Sequence, residues 1–136
     1  MMHRLVFGCM PYLSRLPPDR VMGIIESSLS DDLLRKDWLE RRKPTDHPTF
    51  GHCYVATEAL WHLWGKYHGY RPWVVNEDGY THWYLVDDEG DVKDPTKGQR
   101  LGREVPYETG RRNGFLTKRP SRRCRTVMRR VVQSSS

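Results

Sequence analysis

At 136 residues and 16.1 kDa the chain has the length of one globular domain, and 37% apolar residues with five Trp and seven Tyr suffice for a single modest core. No apolar run reaches the roughly 18 residues that a membrane helix needs, which argues against a spanning segment. The net charge of +6 is unevenly spread: nine of the 23 Lys and Arg follow residue 110, where no Asp or Glu occurs, so residues 1–110, with 14 basic and 17 acidic side chains, carry −3.

From the N-terminus, Leu5-Val6-Phe7-Gly8-Cys9-Met10 is too short for a signal-peptide core and is followed too soon by Leu16-Pro17-Pro18-Asp19. Three widely separated cysteines, Cys9, Cys53 and Cys124, with no CxxC pair, fit a reducing compartment better than a disulfide framework. The expectation is a cytoplasmic protein without membrane association. After Pro17-Pro18, the apolar residues Val21, Ile24, Ile25 and Leu29 recur at helical spacing and predict an amphipathic helix over 18–29. Ser30 reads as the N-cap of a second helix, with Asp31 and Asp32 at its positive end, Leu33, Leu34 and Trp38 on its apolar side and Arg41-Arg42-Lys43 at its C-terminus. These N-terminal helices, over 18–43, read as packing elements.

Prolines and turn formers from Pro44 to Gly51 predict a loop that delivers the chain to a helix over 53–66, whose Ala56, Ala59, Leu60, Leu63 and Trp64 form a wide apolar face. His62 and His68 are expected on the helix exterior and in the loop that ends it. Arg71–Val75 and Thr81–Val86 read as strands joined by a turn at Asn76–Gly79, and Asp91–Asp94 returns antiparallel after the turn at Asp87–Gly90. Residues 96–114 read as surface loop, the segment from Phe115 as a last strand or helix, and Gln133–Ser136 as a disordered end. One domain spans 1–136. The predicted class is α+β: N-terminal helices, then a cysteine-bearing helix packed on a small antiparallel sheet.

Chemistry concentrates in three places along this plan. Cys53 opens its helix, where unpaired backbone amides and the helix dipole favour a negative sulfur and can hold an oxyanion. His82 begins a strand, and Asp94 follows it by 12 residues, a separation that a hairpin folds into adjacency. A carboxylate so placed fixes the histidine tautomer and stabilises the imidazolium, so the trio has the composition of a nucleophile, base and orienting group. His52 and His47 are the side-chain oxyanion candidates.

The stretch Gly51-His52-Cys53-Tyr54-Val55-Ala56, with His82-Trp83 on a strand and Asp94-Pro95-Thr96 after a glycine turn, resembles the papain-like and transglutaminase-like (NlpC-type) cysteine-enzyme superfamily over roughly residues 48–125. Within it, the short spacing is similar to compact bacterial and phage proteins with Gly-Gln-Cys, His-Trp or His-Tyr, and Asp-Pro-Thr followed by glutamine. The resemblance implies a minimal papain-like fold, with Cys53 as nucleophile, His82 as general base and acid, and Asp94 as orienting residue. It also implies a protein or peptide substrate, with peptidoglycan peptide in the same class, and no cofactor. Trp83 beside the histidine and Gln99 after the aspartate motif are substrate-pocket candidates. His52 stands where that pattern has glutamine.

Each residue also has a plainer reading. A lone cysteine packs as a small hydrophobe, a strand histidine is ordinarily a hydrogen-bonded structural group, and Asp before Pro is a common turn former. His52, Cys53, His82 and Asp94 are all permitted zinc donors, although their spacing matches no established ligand pattern. Arg111, Arg112, Lys118, Arg119, Arg122 and Arg123 head a basic C-terminal segment, 111–136, whose density suits phosphate neutralisation or simply a solvated face. They support an alternative reading: a noncatalytic papain-like binding module, such as a phage accessory or anti-defence protein, contacting nucleic acid or an acidic partner.

Overall fold

A computed structural model describes residues 10–34, 36–41, 51–77, 80–97 and 104–135. Cys9, Arg42, Lys43, His47, Gln99 and most of the loop preceding Gly51 lie outside the described residues. Among those described, four α-helices and a four-stranded antiparallel sheet give an α+β fold. No helix among them is long and apolar enough to cross a membrane.

Helix α1, Pro18–Ser27, begins where Pro18 sits at the first helical position, with its φ preset and no amide to leave unbonded. It buries Val21 and Ile25, and it ends as the hydroxyls of Ser27 and Ser28 turn back onto the carbonyls of Gly23 and Ile24. The single helix expected after Ser30 is instead two pieces, a 3-10 turn at Asp31–Leu33 and helix α2 at Lys36–Arg41. Leu34 between them is extended, with φ −74° and ψ 141°. Ser30 caps no backbone amide because its hydroxyl is engaged with the Asp32 carboxylate and receives a bond from Arg130.

Helix α3, Cys53–Leu63, is entered through Gly51, whose φ of 75° lies in the left-handed region that a side chain disfavours. The helix is more enclosed than an amphipathic surface helix, since Thr57, Glu58 and His62 are buried along with Val55, Ala56, Ala59, Leu60 and Leu63. His62 therefore lies inside the protein, contrary to the expectation from sequence. It stands edge-on to Trp61, while His68 is exposed as expected.

Strand β1, Arg71–Glu77, pairs with β2, Tyr80–Val86, from Arg71↔Val86 to Glu77↔Tyr80. Strand β3, Val92–Lys93, pairs only with Leu85 and Val86 of β2. The fourth strand, β4, is Arg111–Arg112, paired with Trp73 and Val74 of β1 in a stretch expected to be loop. Two isolated residues carry no period-2 pattern, so the neighbouring strand defines them. The sheet order is β3-β2-β1-β4.

Alternation along β2 divides the core. Leu85 faces helices α1, α3 and the C-terminal helix α4, Arg122–Ser135, in the main cluster with Val21, Ile25, Leu60, Leu63 and Val127. Tyr84 and Val86 face a smaller cluster with Val75 and Val105, against which Trp73, Val92 and Tyr107 pack. The sheet is thus covered on both sides, by helices on one and by the 104–110 segment on the other. Helix α4 continues through Gln133 and Ser134, where a disordered end was expected. It buries Cys124, Val127, Met128 and Val131, each buried valine contributing roughly 1.5–3 kcal/mol.

Candidate active site

Cys53 is the first residue of α3, half-buried, with its Sγ 3.5 Å from the carbonyl oxygen of Thr81 at the start of β2. β3 pairs with Leu85 and Val86, and among the described residues no third strand pairs with this end of β2 on that side. Two contacts set the helix against the strand. Thr57, one turn below Cys53, donates its buried hydroxyl to the Trp83 carbonyl at 3.1 Å, and Tyr54 stands edge-on to the Trp83 ring at 4.8 Å.

His82 is 3% exposed and its Nε2 lies 2.7 Å from Asp94 Oδ2. With Nε2 so committed, Nδ1 is the nitrogen left for the Cys53 thiol, which lies close enough to bear on the ring electrostatically. Burial disfavours the charged ring, but the hydrogen bonds and negative charge of Asp94 and Cys53 outweigh it and push the His82 pKa up to about 10. The imidazolium is therefore the resting form at neutral pH.

Asp94 follows β3 and is itself held by three donors. Its Oδ1 accepts the Thr96 amide at 3.1 Å, and its Oδ2 accepts both His82 Nε2 and the Tyr107 hydroxyl, each at 2.7 Å. A carboxylate with both oxygens engaged is both strongly bonded and fixed in orientation. The Tyr84 ring stacks beside His82 with centroids 6.2 Å apart and meets Tyr107 edge-on at 4.8 Å, closing the face of the sheet on which the histidine lies.

Cys53, His82 and Asp94, drawn from a helix, a strand and the turn after a third element, thus meet at one place. His52 is 1% exposed, and its Nε2 donates to the Ser30 carbonyl at 2.9 Å, tying the start of α3 to the loop after α1. His52 also gives no side-chain cap to the helix, so the first-turn amides of α3, beginning with that of Cys53, have no capping side chain from that residue. Trp83 points to the opposite face of β2 from His82, 8% exposed, between Tyr54 and a stacked Phe115. It supports the cysteine helix from behind. Among the described residues no group of three or more His, Cys, Asp or Glu has an arrangement that could hold a metal ion.

No protein-family model, curated protein or solved structure matches this chain.

Tyr107 and Thr57 were not singled out by sequence as site-supporting residues. Thr57 had a signal, its four-residue spacing from Cys53 on one helix face. Tyr107 lies in a 3-10 turn within an aperiodic stretch and had none. Of the basic residues, Arg111 and Arg112 form the exposed edge strand β4, whereas Lys118, Arg119, Arg122 and Arg123 are exposed around the start of α4.

Proposed function

We propose that this chain is a cysteine hydrolase or acyltransferase of the papain-like type, acting on an amide, isopeptide or thioester bond of a protein or peptide through Cys53, His82 and Asp94. The observation that carries the reading is the buried His82, whose two sides are taken by a carboxylate and by a half-exposed thiol at a helix N-terminus. A structural cysteine has no need of such a neighbour. Cys124 illustrates the contrast, fully buried, its thiol pushed well above the usual range by burial and by Glu58.

In this mechanism the Cys53 thiolate attacks the carbonyl carbon, and the carbonyl electron pair moves to oxygen. First-turn amides of α3 stabilise that oxyanion. The His82 imidazolium gives its proton to the departing group as the carbon–leaving-group bond breaks, leaving Cys53 acylated. Water or an amine then attacks the thioester, His82 takes its proton, and the product leaves with Cys53 restored. Asp94 keeps the ring oriented and stabilises its charge throughout.

The test is iodoacetamide labelling followed by intact mass, over a range of about pH 5 to 9, on wild type, Cys53→Ala and His82→Ala. Labelling of Cys53 at the acid end that is lost in His82→Ala is the expected result. Labelling only above about pH 8, unchanged by His82→Ala, would sink the nucleophile reading.

A further inference from the structure

We propose that the outward face of α4, together with Lys118 and Arg119 just before it, binds the phosphate backbone of a double-stranded nucleic acid. This surface is separate from Cys53 chemistry and does not rest on it.

The basic segment looks uniform in sequence, and the fold divides it. Helix α4 buries Cys124, Val127, Met128 and Val131. At about 100° per residue, Arg122, Arg125 and Arg129 fall on the side opposite these four, and all three are exposed, as is Arg123 on the flank. Arg130 is set apart, because its guanidinium donates to the Ser28 carbonyl at 3.1 Å, the Ser30 hydroxyl at 2.8 Å and the Asp32 carboxylate at 2.9 Å. It is spent on holding α4 to the N-terminal helices. Lys118, Arg119, Arg122, Arg123, Arg125 and Arg129 have no ion-pair partner among the described residues, and residues 111–136 contain no Asp or Glu to supply one nearby.

These charges do not serve the helix. Arg122 and Arg123 occupy its first turn, with no acidic residue there, and like charge at the positive end of the dipole opposes helix formation. Glu58 answers it only from the inside, fully buried against Ser121, and the outward arginines are left for an external anion. The stripe from Arg122 to Arg129 rises about 10 Å, whereas duplex DNA presents a charge about every 1.7 Å along its axis, so several phosphates fall within reach.

The outward residues are Arg122, Arg123, Arg125, Thr126, Arg129 and Gln133, without an aromatic ring. Single-strand binders rely on such rings as stacking platforms, and here Tyr54, Trp61, Trp83 and Phe115 are engaged with one another. The stripe also lacks the apolar centre around which protein interfaces are built. A phosphate duplex is the partner that asks only for what this face offers.

Fluorescence anisotropy of a labelled DNA duplex of about 20 base pairs with the full chain, between 50 and 200 mM NaCl, tests this. The expected result is a dissociation constant of roughly 1–100 µM that weakens steeply with salt. Changing Arg122, Arg125 and Arg129 together to Gln should weaken binding at least about 10-fold at low salt and flatten the log–log salt slope by about 2.7. The helix remains folded by circular dichroism, since the three side chains are exposed. Cys53→Ser should bind as wild type, so this result and the fate of the hydrolase reading are independent. A duplex RNA arm distinguishes the two sources of the backbone. Unchanged affinity and slope in the triple variant would overturn the proposal. So would tighter binding of the corresponding single strand, or displacement of the duplex by polyglutamate at equal charge, which would make the partner an acidic protein.

Discussion

Oδ2 of Asp94 accepts from both His82 and Tyr107, and the second donor holds the carboxylate while the first makes use of it. Tyr107→Phe removes one bond to a buried charged acceptor and should cost about 1.5–3 kcal/mol in urea unfolding. Tyr84, in the same cluster, supplies the comparison: its hydroxyl is buried with no hydrogen-bond partner among the described residues, so Tyr84→Phe should cost nothing or stabilise slightly. Equal losses for the two would show that the Tyr84 hydroxyl is satisfied in solution. Its close neighbour is Gly110, where an added Cβ would lie 1.7 Å from the Tyr84 oxygen. Gly110→Ala should therefore destabilise by roughly 1–3 kcal/mol, part of it recovered by combining it with Tyr84→Phe. None of this was legible from sequence, because Tyr84, Tyr107 and Gly110 come from different elements and follow no shared period.

The joint between α3 and α4 is a capping box made by two helices. Ser121 Oγ accepts the Cys124 amide at 3.2 Å, as an N-cap serine does three residues on. The glutamate that completes such a box is absent from the third position, which Cys124 fills. It comes instead from α3: Glu58, fully buried, accepts the Ser121 amide at 2.8 Å and the Ser121 hydroxyl at 2.7 Å. A carboxylate at this end of α4 also offsets the arginines in its first turn. Glu58→Ala leaves Ser121 donors unmet and should lower stability by roughly 3 kcal/mol in urea unfolding, with Glu58→Gln losing less. Similar losses for the two would assign the effect to packing rather than charge. Sequence gives no sign of this role for Glu58, since its partner lies 63 residues away.

For the whole molecule, two buried histidines shape stability against pH from opposite sides. Burial, with a smaller contribution from Lys66, pushes the His62 pKa down to about 4, so the unfolded chain binds its proton first. Stability then falls as pH drops from the ordinary histidine value near 6.5 towards 4. His82, raised to about 10 by Asp94 and Cys53 against the opposing effect of burial, keeps its proton longer in the folded state. Its contribution is full below about 6.5 and is lost as pH rises towards 10. A melting temperature measured across this range should peak near pH 6.5, the acid limb flattening in His62→Leu and the alkaline limb in His82→Ala. A profile with both limbs intact in the variants would assign them to other groups.

What the amino-acid sequence determined by itself is what short-range physics writes along a chain. Pro18 and the spacing of Val21 and Ile25 specify α1, Gly51 and the alanines specify the start of α3, and β-rich runs around a turn specify β1 and β2. The order cysteine helix, histidine strand, aspartate turn was legible as well, since each member lies at the end of a locally encoded element. The tertiary structure alone decided that His52 bonds Ser30. It also decided that Tyr107 and Thr96 complete the surroundings of Asp94, that Glu58 caps a distant helix, and that Arg130 leaves the basic stripe to clamp Asp32. Apart from that of the Thr96 amide, two residues from Asp94, these bonds join groups far apart in sequence. Such bonds depend on the relative placement of whole elements, which follows from burying one side of each against the others and leaves no periodic mark in the chain.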